Sequence, residues 1–395
     1  MILSLGLIIL LGLSLNAIMN KIKVPSLIGY MITGIILGPF VLDLIDPTIL
    51  AISADLRKIA LIVILLRAGL TLDIKDLKIV GRGAILLSFL PATFEIIAIA
   101  FLSQWMFSIT LIEGFILGSV VAAVSPAVVV PRMIDLINKK LGTKKSIPQM
   151  VLAGSSIDDI YAVVLFTLFV QIQQSNIIDF KSIIFFPLSI ILGVVAGIVV
   201  GFALVKIFKK FHMRDTIKVL IIFGVAFLFD FLESTLKEII PFSSLIAVIV
   251  LGLTTLKLYP ILADRLTSKF SKIWVFSEMM LFVLIGSLVD ISVIKDVGLN
   301  FVLLLVLAIF IRFVAVMIST TKINLNTKER VFVFFSYLPK ATVQAAIGAI
   351  PFSLGMPAGE IILGVSVLSI FLTAPIGAIL IDQTQNLLLE KEISD

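Results

Sequence analysis

Residues 152–161 read Leu152-Ala153-Gly154-Ser155-Ser156-Ile157-Asp158-Asp159-Ile160-Tyr161, two adjacent carboxylates about ten residues into an apolar run over 149–171. A run of that length crosses the roughly 30 Å hydrocarbon layer as a helix. Asp158 and Asp159 then sit near mid-membrane, where a charge costs about 3 kcal/mol on insertion scales and more in simulations. Such residues are functional candidates. Successive helical residues point about 100° apart, so the two carboxylates cannot address one ligand in the same way. One can face a water-filled cavity and bind a hard monovalent cation or a proton, while the other pairs with a basic group across the bundle.

The rest of the chain supports that setting. Its 395 residues are 60% apolar and 14% charged, with mean hydropathy +1.22, against about 45–50% apolar and about 25% charged in soluble domains. The expected fold is an all-α polytopic membrane protein. Cys is absent and His212 is the single histidine, so disulfides, thiolate chemistry, Cys/His zinc sites and haem ligation have no raw material. The net charge is +6, but the basic residues collect in loops where membrane topology explains them, and no nucleic-acid partner follows.

Thirteen spans are predicted, at 2–19, 25–44, 56–72, 82–104, 110–131, 149–171, 182–205, 217–236, 240–258, 271–291, 298–320, 330–352 and 358–381. The first begins at Met1 without a basic leader and is read as retained rather than as a signal peptide. Alternate loops test the count. The odd loops with the C-terminus hold 23 Lys and Arg, the even loops 5, and Arg67, Arg312 and Lys340 lie inside spans. Cytoplasmic loops carry the basic excess, which puts the N-terminus outside and the C-terminus inside. No loop is longer than about seventeen residues, too short for a nucleotide-binding or catalytic soluble domain, so ATP-driven pumping is excluded and no cofactor is expected.

An internal repeat runs through these spans. Ser26-Leu27-Ile28 to Gly34 matches Ser244-Leu245-Ile246 to Gly252 at an offset of 218, and Asp73 precedes Asp290 by 217, as Glu95 precedes Arg312. Pro126 precedes Pro339 by 213. The offset corresponds to seven helices, an odd number, so the copies cross the bilayer in opposite directions. That is an inverted-topology repeat, common among secondary transporters. Positions 372 and 373, matched to the aspartates, are Leu372 and Thr373, leaving one acidic site.

Span five contains Ser125-Pro126-Ala127-Val128-Val129-Val130-Pro131, and span twelve contains Tyr337-Leu338-Pro339-Lys340-Ala341-Thr342-Val343-Gln344. Proline removes a helical hydrogen bond and clashes with the preceding turn. In lipid, freed backbone groups are tolerated only inside protein or beside a wet cavity. Pro126, Pro131 and Pro339 are therefore expected to break helices, with Ser125, Ser155 and Thr342 beside Asp158 and Asp159 as ion or proton ligands. Lys340, about ten residues into its span, is the candidate counter-charge. Glu95 and Arg312 lie at equal depths with opposite charges and read as a buried pair joining the repeats. Arg67 and Glu278 read as outer-helix pairing or lipid contact, and Asp230, Glu233, Lys237 and Glu238 as solvated residues at a membrane face. His212 sits in a basic loop and reads as solvated.

With these residues in view, the chain resembles the monovalent cation/proton antiporter superfamily, in its two-aspartate electrogenic branch, and within that the NHA-type sodium/proton antiporters. The resemblance covers nearly the whole chain. It is carried by Ser125 to Pro131, Asp158-Asp159, Leu66-Arg67-Ala68-Gly69-Leu70, and Leu338-Pro339-Lys340-Ala341-Thr342-Val343-Gln344-Ala345-Ala346. It implies a core of helices 4–6 (82–171) and 11–13 (298–381) holding two crossed discontinuous helices. A dimerisation scaffold would comprise helices 1–3 (1–72) and 8–10 (217–291), linked by helix 7 (182–205). It further implies that Asp159 binds Na⁺ and protons in turn, that Asp158 pairs with Lys340 and Glu95 with Arg312, and that the protein is a homodimer. Span five has Ser125 where some relatives carry an acidic residue.

The expected function is exchange of Na⁺, or Li⁺, for protons by alternating access across the cell membrane, with competition at one carboxylate as the coupling device. Exchange of K⁺ for protons is the nearest alternative. An intramembrane aspartyl protease is disfavoured by geometry, since acid and base must flank the scissile bond and these aspartates are neighbours on one helix. A passive channel would conduct without proton movement.

Overall fold

The structure is a computed structural model that describes residues 1–22, 24–71, 81–175, 180–236, 242–289 and 291–391. Asp73, Asp290, Lys237 and Glu238 lie outside the described residues. In chain order the helices are α1 (Ile2–Lys21), α2 (Ser26–Leu37), α3 (Pro47–Ala51), α4 (Ser53–Thr71), α5 (Arg82–Leu87), α6 (Leu90–Phe107), α7 (Leu111–Ala122), α8 (Pro126–Asn138), α9 (Ile147–Ser175), α10 (Phe180–Lys210), α11 (Asp215–Leu236), α12 (Ser244–Leu258), α13 (Pro260–Ser287), α14 (Ile291–Ser319), α15 (Thr327–Ser336), α16 (Thr342–Ile347), α17 (Ile350–Ser353) and α18 (Gly359–Leu388). Among the described residues, eight helical stretches are long and apolar enough to cross a bilayer, and three shorter apolar helices accompany them. This is a multi-pass, all-helical membrane architecture.

Two boundaries differ from expectation for local reasons. The fourth span is interrupted at Ser88-Phe89, where Pro91 in the first turn of α6 has no N–H for the preceding turn. The tenth starts at Pro260 rather than at 271, because only Tyr259 separates α12 from α13. Asp264, Arg265, Lys269 and Lys272 depress the hydropathy of that first half. Even so, Leu262, Ala263, Leu266 and Phe270 keep a buried helical stripe.

The chain divides into two compact units, one of Met1–Ala54, Ile74–Val170 and Met279–Asp395, the other of Asp55–Asp73 and Gln171–Glu278. Each holds a close glycine crossing with a counterpart in the other. In the first, a Cβ on Gly34 of α2 would lie 1.9 Å from the Val283 carbonyl oxygen of α13, and one on Gly286 would lie 2.2 Å from that of Met31. In the second, a Cβ on Gly69 of α4 would lie 2.3 Å from the Ile249 carbonyl oxygen of α12. Only glycine permits such approach, a common device between membrane helices. Gly34 and Gly252 are 218 apart and Gly69 and Gly286 are 217 apart, so the two crossings are equivalent under the sequence repeat.

A second equivalence fixes the helices that carry the breaks. α7 begins with a capping box, Thr110 and Glu113, and α15 begins with another, Asn326 and Glu329. The offset is 216, close to those of the crossings, and each box satisfies otherwise orphaned N–H groups reciprocally. Each buried glutamate also reaches across the repeats. Glu113 accepts from the Ala358 amide at 3.1 Å, at the start of α18. Glu329 accepts from Lys145 Nζ at 2.8 Å, just before α9. Val129, Met133, Met150, Val151, Phe332, Val333 and Tyr337 close one apolar cluster on the side of Glu329 and Lys145.

Candidate functional site

Both interrupted helices come apart at the prolines that begin or occupy the gap. α7 ends at Ala122, Ala123 and Ser125 are extended, and α8 starts on Pro126, which needs no hydrogen-bond acceptor for an N–H it lacks. α15 ends at Ser336, and Pro339 lies in the non-helical stretch before α16. Pro131 is a correction to the expected set of breaks: it lies inside α8, which continues to Asn138. It sits in the second turn, where one lost hydrogen bond is local and the flanking turns hold.

The freed backbone groups find partners, as burial requires. Ser125 N–H donates to the Pro339 carbonyl at 2.8 Å, which brings the two breaks together. Gln344 Nε2 donates to the carbonyls of Val121 and Ala123 at 3.1 and 2.7 Å. Arg312 Nη1 donates to the Ala122 carbonyl. Val124 N–H donates to Asp158 Oδ2 at 3.0 Å, and Lys340 N–H donates to Thr373 Oγ1 at 3.0 Å. The last two bonds are repeat-equivalent, since Val124 and Lys340 are 216 apart and Asp158 and Thr373 are 215 apart.

Four fully buried charges lie beside these two breaks. Glu95 of α6 binds Arg312 of α14 and also Lys340, whose Nζ is 2.8 Å from Oε1 and 3.0 Å from Oε2. Arg312 Nη2 is 3.3 Å from Asp158 Oδ2. The pairing of Asp158 with Lys340 that the resemblance implies is therefore replaced: Lys340 binds Glu95, and Arg312 bridges both carboxylates. The reason is occupancy and reach. Asp158 Oδ2 is already engaged by Val124 N–H and Arg312, whereas the longer glutamate side chain presents both oxygens to two cations. Two carboxylates and two cations make the group neutral, which limits its desolvation cost.

Asp159 is arranged differently. It is 8% exposed where Asp158 is fully buried, and among the described residues it enters no ion pair. Its Oδ1 has no hydrogen-bond partner, and neither do Ser125 Oγ, Thr342 Oγ1, Asp158 Oδ1 and Gln344 Oε1. Ser155, also buried, donates to the Leu152 carbonyl at 3.3 Å. Oxygen donors of this kind, one of them a carboxylate outside any ion pair among the described residues, suit a hard monovalent cation or a proton.

The sequence places Gln344 beside the break without naming its partners, and assigns no role to Thr373, Glu113 or Glu329. The repeat offset marks Thr373, and the pattern of Thr or Asn followed three residues later by Glu before an apolar run marks both capping boxes. Gln344 carries no comparable signal, because its partners are carbonyls freed only by the break. Elsewhere, Arg67 stacks on Trp274 with its guanidinium 5.7 Å from the ring centre. Glu233 caps α12 through Ser244, and Lys58 pairs with Asp230 at 2.6 Å. His212 is exposed.

Comparisons with known proteins identify the family. The family model described as sodium/hydrogen exchanger, transmembrane, matches residues 6–384. Human sodium/hydrogen exchanger 9B2 is 33% identical over 390 residues, covering 93% of this chain and 70% of that protein. Human sodium/hydrogen exchanger 9B1 is 30% identical over 375 residues, covering 90% and 71%. The sodium proton antiporter MjNhaP1 from Methanocaldococcus jannaschii superposes with a TM-score of 0.81 at 20% identity, over 98% of this chain and 97% of that one, a likeness of fold. These relatives are transporters, so the intramembrane protease reading falls. A membrane-spanning helical chain with two broken helices in contact, matched along nearly its whole length, belongs to the sodium/hydrogen exchanger family.

Proposed function

We propose that this protein exchanges Na⁺, or Li⁺, for protons across its membrane by alternating access, as a member of the two-aspartate electrogenic branch. The observation that carries the reading is the unequal treatment of the two aspartates. Asp158 is held by Arg312 and the Val124 amide, while Asp159 has slight solvent exposure, an unpartnered oxygen and, among the described residues, no ion pair. In this scheme Asp159 takes a proton or a cation, never both, with Ser125, Ser155 and Thr342 as neutral oxygen ligands. Lys340, with Glu95 and Arg312, balances the half-helix dipoles that meet at the breaks. If both aspartates change occupancy, two protons exchange for one cation. Each cycle then moves net charge, and the membrane potential contributes about 2.3 kcal/mol per charge per 100 mV.

The same reading includes thirteen spans in an inverted repeat with crossed broken helices, the N-terminus outside and the C-terminus inside a plasma membrane. It also includes a core of 82–171 and 298–381 moving against a dimerising scaffold of 1–72 and 217–291. The equivalent glycine crossings and capping boxes support the repeat, and the basic-loop asymmetry supports the orientation. The test is reconstitution in liposomes with an imposed pH gradient and a lumenal pH dye. Na⁺ or Li⁺ added to wild type dissipates the gradient, and Asp159→Asn does not respond. An Asp159→Asn response as large as wild type removes that residue from the mechanism, and a response to K⁺ alone makes the protein a K⁺/proton exchanger.

A further inference from the structure

Tyr337, at the C-terminal end of α15, is fully buried and its hydroxyl has no hydrogen-bond partner. The position of that hydroxyl is set by Gly154. A Cβ built on Gly154 would lie 2.2 Å from the Tyr337 oxygen, so α9 uses a glycine, unfavourable in mid-helix, where the phenol reaches it. Asp158 lies one turn further along the same face of α9. Helical side chains tilt toward the N-terminus, which lays the Asp158 carboxylate back over the Gly154 turn. Its Oδ2 is occupied by Val124 and Arg312, and its Oδ1 is buried and unpartnered like the phenol. The Arg312 guanidinium that binds Oδ2 also stands 5.8 Å from the centre of the Tyr337 ring. A donor and an acceptor, both unsatisfied, thus face the same turn.

We propose that the Tyr337 hydroxyl, packed against Gly154, is a positioning residue for the ion site, donating through one bridging water to Oδ1 of Asp158. A buried water needs two or more polar partners, and these two supply the minimum. The bond fixes the orientation of the carboxylate next to Asp159, and through it the affinity of the cation site; the inference rests on the exchanger reading above. Packing alone does not need the hydroxyl, since the ring fills the space and stacks with the guanidinium.

Tyr337→Phe separates these roles, because it keeps the ring and deletes the donor. In proteoliposomes the variant is expected to raise the apparent KM for Na⁺ about tenfold, with the maximal rate within about twofold of wild type and thermal stability unchanged. Gly154→Ala, whose methyl group displaces the hydroxyl, should raise KM in the same way, and the double variant should be no worse than either single one. A KM for Tyr337→Phe within about twofold of wild type overturns the proposal, as does a loss of rate together with stability, which marks a packing role. Asp159→Asn, run in parallel, distinguishes this failure from failure of the exchanger reading. If Asp159→Asn retains exchange, the ion site is elsewhere, whatever Tyr337 does.

Discussion

Glu95→Gln tests how the buried charges are held. Glu95 is fully buried; its Oε2 accepts from Lys340 at 3.0 Å and from Arg312, and its Oε1 stands 2.8 Å from the Lys340 ammonium. The amide keeps the shape and removes the charge, leaving Lys340 without a counter-ion and Arg312 with only Asp158 at 3.3 Å. Removing one partner from a buried ion network costs about 3–5 kcal/mol. At about 2.1 cal/mol/K of unfolding entropy per residue, that lowers the melting temperature of a chain this long by roughly 4–6 °C. The assay is the fraction of monodisperse protein left after heating in detergent at a fixed rate. Lys340→Met in the Glu95→Gln background leaves Arg312 with Asp158, a neutral pair, so the double variant should melt above Glu95→Gln alone. Melting of Glu95→Gln within about 1 °C of wild type, or strictly additive effects, would refute this network.

Three further variants probe other contacts. Lys145 lies outside the spans, and its hydrogen bond to Glu329 holds the ammonium above its ordinary range near 10.5. A group raised in the folded state stabilises fully below its unfolded value and loses that contribution as pH rises through the folded one. The melting difference between wild type and Lys145→Met should therefore be flat from neutral pH to about pH 10 and shrink only above it. Gln344→Leu should lower the melting temperature, since two buried carbonyls lose their donor at about 1–3 kcal/mol each, and Gln344→Glu, which has no N–H to offer, should not rescue it.

Much of this arrangement is legible from local chemistry. Apolar run length gives the multi-pass helical architecture, Pro126 and Pro339 give the gaps, and Asp158-Asp159 inside an apolar helix marks the candidate site. What escapes is set by tertiary geometry. Pro131 looks like Pro126 in sequence, yet only the proline at the gap starts a helix. The partner of Lys340 depends on how far the Glu95 side chain reaches and on which oxygens of Asp158 the Val124 amide and Arg312 already occupy. The first half of α13 is hidden from hydropathy by four charged residues, although its buried stripe is periodic. The capping boxes at Thr110 and Asn326 were readable from spacing alone, and their value appears only once each glutamate is seen to anchor a helix of the other repeat.

The central claim is that a proton and a cation contend for one carboxylate. The most direct measurement is the apparent KM for Na⁺ of the reconstituted wild-type protein as a function of pH, at fixed voltage. Mass action at a shared site requires KM to rise about tenfold for each unit of acidification once the site is mostly protonated, with the maximal rate little changed. A KM that stays constant across that range while only the maximal rate varies would contradict the account.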